Sequence, residues 1–207
     1  MKKRSDLQNL LHDAGILVAI TLVAGILLGL VYGVTKDPIK KQEELALQNA
    51  CKEVFAGATS FEDYDYDLEK ANTIIHDNGY AKVELSDTVR KALDANGNPI
   101  GYILTVTSSE GYGGDIQFTM GIKNDGTLNG ISILSISETA GLGMRAEEVL
   151  KPQFFNKNVE KFEYTKSGAV MENQIDAISG ATITTNAVTN AVNGGLSFFA
   201  QELKGVE

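Results

Sequence analysis

Residues Gly15 to Val34 are twenty consecutive positions without a charge. No other feature constrains the chain so strongly. At about 1.5 Å of rise per residue, a helix of this length matches the roughly 30 Å hydrocarbon core of a bilayer, and the reading is a transmembrane helix. A cleaved signal peptide has an apolar region of about 7 to 15 residues that ends at a small-residue site. This stretch is longer, and only Val31-Tyr32-Gly33 resembles such a site. Gly25, Gly29 and Gly33 recur every fourth residue on one helix face, where a neighbouring helix could approach closely. Charge does not fix the orientation, because Lys2, Lys3 and Arg4 precede the span and Lys36, Lys40 and Lys41 follow it.

The 207 residues leave room for this span and one compact domain, hence for one site. From Gly15 onward there are 15 basic and 25 acidic residues, a balance that argues against nucleic-acid binding. Cys51 is the only cysteine, so the chain alone builds no disulfide and no iron–sulfur site; a packed helix residue is its expected role. His12 and His76 have no second ligand at metal-binding spacing and are expected on the surface, and no metal site is expected. The Ser and Thr runs lack a partner histidine, so hydrolase chemistry is unsupported and no catalytic residue is assigned.

After the span, Asp37 and Pro38 suit an N-cap and an N1 proline, and Ile39 to Phe55 reads as a helical stalk. Phe61 to Lys70 alternates acids with aromatics. Asp63, Asp65 and Asp67 match the start of a calcium loop, but Leu68 replaces the turn glycine and Ile74 stands where the bidentate glutamate belongs. The expectation there is a solvated acidic loop. From Ile100 the period becomes two: Tyr102 to Thr107, then Ile116, Phe118, Met120 and Ile122, then Leu128 to Ile136 after the turn Asn124-Asp125-Gly126. Strands joined by tight turns predict an antiparallel meander. A last helix is expected to start near Thr184 or Thr185 and to bury Val188, Val192, Phe199 and Leu203, with Gly194-Gly195 weakening its middle. The fold class is α+β: an N-terminal transmembrane helix, then an antiparallel sheet with flanking helices. The expected divisions are 1–35 for the tail and span, 36–58 for the stalk and 59–207 for the domain.

The most unusual segment is Asp176-Ala177-Ile178-Ser179-Gly180-Ala181-Thr182-Ile183-Thr184-Thr185, small and hydroxyl residues around a glycine just before a helix. Backbone N–H groups at a helix start are unpaired and the dipole is positive there, so a phosphate can dock without a lysine. Between Thr182 and Gln201 there is no Lys or Arg. The same residues also suit a plain helix cap at Thr184 or Thr185, and on their own they leave both readings open.

This segment resembles the flavinylation motif of the FMN-binding domain family, in which an acid precedes Ser/Thr-Gly-Ala-Thr and a flavin transferase esterifies the last threonine. The resemblance implies FMN attached through its phosphate to Thr182, with Asp176, Ser179, Gly180 and Ala181 as the recognition context and Thr184 beside the cofactor. Threonine is a weak nucleophile, so a separate Mg²⁺-dependent transferase is implied. Glu138-Thr139-Ala140-Gly141-Leu142-Gly143 is similar to the family's Glu-Thr-Pro-Gly-Leu-Gly run, with Ala140 for the usual proline. That likeness implies Glu138, Thr139, Leu142 and Gly143 around the flavin ring. Glu110-Gly111-Tyr112-Gly113-Gly114 resembles a third family element and reads as a structural hairpin. Gly141-Leu142-Gly143-Met144-Arg145-Ala146 fits a loose dinucleotide fingerprint, but it follows antiparallel strands instead of opening a βαβ unit, and nicotinamide binding is rejected.

The motifs, span and length together resemble the G subunits of Rnf-type ion-translocating ferredoxin:NAD oxidoreductases. That likeness implies a single-pass protein of the inner or plasma membrane, with a cytoplasmic N-terminus and an extracytoplasmic flavin domain. It implies a redox carrier without catalysis of its own, whose partners are the other membrane and redox subunits. The C subunit of sodium-translocating NADH:quinone oxidoreductases is the alternative within the family, and a non-redox membrane adaptor is the alternative outside it.

Overall fold

The computed structural model of the chain describes residues 2–205, with side chains from residue 10 onward except at residue 87. Lys2, Lys3 and Arg4, which enter the charge comparison, lie outside the described side chains. The chain divides into two compact units, Met1–Leu45 and Ala46–Glu207.

Helix α1 (Lys2–Val54) is long and apolar enough to cross a membrane, with an 18-residue window of mean hydropathy 2.7. Pro38 lies inside it and does not start a new helix, which corrects the expected break at Asp37-Pro38. Proline removes only the N–H that would reach the Val34 carbonyl, and the helix-forming residues on both sides carry the coil through. Cys51 is fully buried near the helix end.

The second unit is built on five strands, β1 (Ser60–Tyr64), β2 (Val83–Leu93), β3 (Pro99–Ser108), β4 (Ile116–Lys123) and β5 (Leu128–Ser135). Each pairs antiparallel with the next in sequence. Tyr102, Leu104 and Val106 on β3 lie opposite Ile122, Met120 and Phe118 on β4, so one face of the sheet is a continuous apolar surface. Helix α2 (Leu68–Asp77) and helix α4 (Thr182–Phe198, continued as a π-helix over Phe199–Leu203) cover this face. The opposite face carries Ile103 and Ala92, packed with Cys51, Val54 and Phe55. There the Phe55 ring rests on two glycines: a Cβ at Gly101 would meet its Cζ at 2.5 Å, and one at Gly121 its Cε2 at 2.9 Å.

The acidic segment Phe61 to Lys70 is not a loop. It forms most of edge strand β1 and the start of α2, whose N-cap is Asp67, the carboxylate accepting the Lys70 N–H at 3.0 Å. His76 is not a loop residue either; it sits half-buried on α2, its Nε2 3.2 Å from the Val83 carbonyl. Gly194 and Gly195 do not weaken α4 but bring it onto the sheet. A Cβ at Gly195 would stand 2.3 Å from Met120 Sδ, and one at Gly194 3.0 Å from Val83 Cγ1.

Between β5 and α4 the chain forms a 3₁₀ turn (Gly143–Arg145), helix α3 (Ala146–Val149), a second 3₁₀ turn (Lys151–Phe154) and a parallel pair, β6 (Glu163–Thr165) with β7 (Gln174–Asp176). The buried Asn193 of α4 serves Phe162 as a strand would, accepting its N–H at 2.8 Å and donating to its carbonyl at 2.9 Å.

Candidate functional site

A cleft of about 520 Å³ opens where α4 begins. It lies within the roughly 300–1,000 Å³ range of cofactor pockets. Three segments line it: Gly180 to Thr184, the loop Glu138 to Gly143, and Tyr112.

Helix α4 starts at Thr182, two residues before the expected Thr184. Ala181 is the N-cap and provides no side-chain cap, and the first intrahelical bond runs from the Thr185 N–H to the Ala181 carbonyl at 3.0 Å. The N–H groups of Thr182, Ile183 and Thr184 are thus left without intrahelical partners. Thr185 is not the cap. Its hydroxyl, fully buried, donates to the Ala181 carbonyl at 2.9 Å and accepts the Ile178 N–H at 3.1 Å, which locks the turn ahead of the helix. Gly180 closes that turn at φ +78°, where glycine is at ease. Thr182 is half-buried at the cleft, while Thr184 is only 1 % exposed and still lines it.

The Glu138 loop is folded around one carbonyl: Thr139 C=O accepts the N–H groups of Leu142 at 3.1 Å and Met144 at 3.2 Å. Gly141 makes this turn at φ +76°, with nothing within 4 Å of where a Cβ would stand. Glu138 is buried, and its Oε1 accepts the Tyr112 N–H at 2.7 Å and the Gly113 N–H at 3.3 Å. Leu142 and Ile183, 40 % and 53 % exposed, give the cleft apolar walls.

The structure therefore brings together Glu138, Thr139, Leu142, Gly143, Gly180, Ala181, Thr182 and Thr184. Asp176 and Ser179 are exposed and do not line the cleft. Asp176 ends β7, where its Oδ1 accepts the Ala169 N–H at 2.7 Å. Two lining residues escaped the sequence reading. Ile183 is the one outward apolar residue among threonines, and Tyr112 belongs to the glycine-rich element read as purely structural. An exposed aromatic between glycines was the available signal for the second.

The cleft suits FMN by its own chemistry. Free helix N–H groups and hydroxyls are the kind of donors a phosphate takes, apolar walls are the surface an aromatic ring system takes, and among the described residues no Lys, Arg or His lines the space.

Comparison with known proteins bears on the same residues. The FMN-binding domain family matches residues 111–197, a range that contains every residue lining the cleft, from Tyr112 to Thr184. The RnfG N-terminal region matches residues 1–54. The G subunit of the sodium-translocating ferredoxin:NAD(+) oxidoreductase complex of Acetobacterium woodii is 34% identical over 189 residues, 89% of this chain and 88% of that protein. The chain belongs to the G-subunit family of ion-translocating oxidoreductase complexes. Another member, from Methanosarcina acetivorans, is 30% identical and covers 96% of this chain and 98% of its own length. The G subunit of the proton-translocating complex of Clostridium ljungdahlii is 28% identical over 93% of this chain and 92% of that protein. The crystal structure of NqrC from Shewanella oneidensis matches at a TM-score of 0.48 with 16% identity, covering 72% of this chain and 84% of that one, a likeness too loose to bear on function.

Proposed function

We propose that this G-family chain is the flavin-carrying electron-transfer subunit of a membrane-bound, ion-translocating ferredoxin:NAD⁺ oxidoreductase, with FMN held as a phosphoester on Thr182. The observation that carries this reading is the position of Thr182. It is the first residue of α4, half-buried at the cleft, beside three N–H groups that no side chain caps.

When bound, FMN supplies reversible uptake and release of electrons. The chain supplies the seat. The N–H groups of Thr182, Ile183 and Thr184 would hold the FMN phosphate, with the helix dipole behind them. Leu142, Ile183 and Tyr112 offer apolar and aromatic surface to a planar ring. Formation of the ester would replace the Thr182 Oγ–H bond by an Oγ–P bond while a phosphoanhydride of the flavin donor breaks; the proton would pass to a base of the flavin transferase, and the rest of the donor would leave as a phosphate monoester. Asp176, Ser179 and Gly180 are exposed and accessible to such an enzyme. The proposed arrangement has residues 1–35 as tail and span, 36–58 as stalk and 59–207 as the flavin domain, with the N-terminus cytoplasmic and the domain extracytoplasmic. The partners are the neighbouring redox and membrane subunits, and the chain catalyses no turnover by itself.

Intact-mass measurement of the chain coexpressed with a flavin transferase tests the assignment. The expected result is a mass increase of one FMN less one water, lost in Thr182→Ala with membrane insertion retained. An unchanged flavin adduct in that variant refutes Thr182 as the site, and absence of any adduct in the wild type refutes the covalent reading.

A further inference from the structure

Two segments far apart in the chain meet at the Glu138 carboxyl, and the start of α4 packs close by. Glu138, 9 % exposed, accepts the N–H groups of Tyr112 and Gly113 through Oε1. Its other side presses on Gly143, where a Cβ would meet Glu138 Cβ at 2.6 Å, Glu138 Oε2 at 2.8 Å and Thr184 Oγ1 at 2.5 Å. The glycine-rich loop is packed just as tightly, both on itself and against the segment just after β5. A Cβ at Gly111 would stand 2.1 Å from the Gly114 carbonyl oxygen, and one at Gly113 2.0 Å from that of Ser137. At its start the same loop is tied to α4, because Asn190 Nδ2 donates to Glu110 Oε2 at 2.7 Å. The Tyr112 ring cannot be the anchor, since the residue is 71 % exposed and buries little apolar surface.

We infer that Glu138 is a positioning residue that assembles the cleft before any flavin arrives, acting as a hydrogen-bond acceptor, with Asn190 supporting the same loop through Glu110. The purpose of that assembly, to hold Tyr112 against the cavity, rests on the flavin reading. A loop of glycines is costly to order. Two N–H groups fixed on one carboxylate, and a third tie to a helix, meet that cost in the folded chain and not at the moment of loading.

The test is hydrogen–deuterium exchange on the full chain in detergent, produced without a flavin transferase and checked to be flavin-free. Peptides covering residues 110–114 are followed in wild type, Glu138→Ala, Glu138→Gln and Asn190→Ala. Glutamine keeps an oxygen for both N–H groups, so Glu138→Gln stays within about threefold of wild type. Glu138→Ala and Asn190→Ala accelerate exchange in this loop about tenfold or more, the amount expected for one lost hydrogen bond to a charged group, while β3 and β4 peptides are unchanged. Glu138→Gln, together with Asn190→Ala at a residue that lines no part of the cleft, keeps the inference testable even if Glu138→Ala unfolds. Wild-type exchange in Asn190→Ala, or acceleration in Glu138→Gln equal to that in Glu138→Ala, overturns the inference. No flavin is present in these measurements, so their outcome and the fate of the Thr182 ester are read separately.

Discussion

Replacing Gly143 with alanine is the sharpest perturbation of the cleft. The backbone tolerates it, because Gly143 is not among the positive-φ glycines. The space does not. The new methyl group would lie 2.5 Å from Thr184 Oγ1 and 2.6 Å from Glu138 Cβ, against ordinary contacts of about 3.5–4.0 Å between carbon atoms. Neither neighbour is a free end: Glu138 Cβ is fixed by its own backbone, and Thr184 lies within the first turn of α4. Relief requires the Glu138 loop and the start of α4 to part. Overpacking of this kind costs about 1–3 kcal/mol. For a domain of this size about 2–4 °C is lost per kcal/mol, so the melting temperature falls by roughly 2–12 °C. The control is Gly141→Ala, two residues away, where nothing lies within 4 Å and the only cost is the positive φ, about 1–2 kcal/mol. Thermal unfolding of the flavin-free chain in detergent measures the two costs. In-gel fluorescence after coexpression with a flavin transferase then reports loading, which Gly143→Ala reduces and Gly141→Ala leaves in place. A Gly143→Ala chain that melts with wild type and loads fully refutes this account of the cleft.

Two further outcomes rest on the packing and charge of the domain. Gly195→Ala lowers the melting temperature although helix propensity alone favours alanine by about 1 kcal/mol, because the methyl group would stand 2.3 Å from the buried Met120 Sδ; a rise in melting temperature would show that α4 does not lie so close to β4. Lys151 bridges Glu53 at 2.6 Å and Glu147. Burial works against its charge, but the hydrogen bonds it donates to the two glutamates outweigh burial and raise its pKa above the usual lysine value. A raised folded-state value stabilises below the unfolded one, so the advantage of wild type over Lys151→Gln is level from neutral pH upward and shrinks above about pH 10.5. Denaturant unfolding across that range checks it, and an advantage that grows with pH contradicts the assignment.

Strands β3 and β4 could be read in the sequence because each has one face in the core beneath α2 and α4. Tyr102, Leu104 and Val106, and Phe118, Met120 and Ile122, alternate because every second residue enters the same core. Strand β2 hid its period behind an irregularity between Leu85 and Val89, which shifts the register. Strand β1 hid because it is an edge strand, held by pairing of its backbone with β2 and carrying Glu62 and Asp63 in solvent. Asp67 looked like part of an acidic loop because a capping aspartate and a solvated one have the same letter. In the site, the residues that the motifs named could be read, and the way they are joined could not. Nothing in Gly111-Tyr112-Gly113-Gly114 announces that its N–H groups end on Glu138, 25 to 26 residues later. Nor does the position of Asn190 reveal its tie to Glu110, because a helix residue and a loop residue 80 positions apart share no period.

The seat at the start of α4 contains no Lys, Arg or His, either among the cleft residues or along Thr182 to Gln201. A phosphate gripped by lysines is released as salt screens the attraction, and one gripped by histidines is released as they lose their protons. Backbone N–H groups and hydroxyls carry no full charge and do not titrate in this range. On the flavin reading, the grip of this seat on a phosphate would follow the titration of no basic side chain that lines it, and salt would act on it only through the partial charge of the helix end.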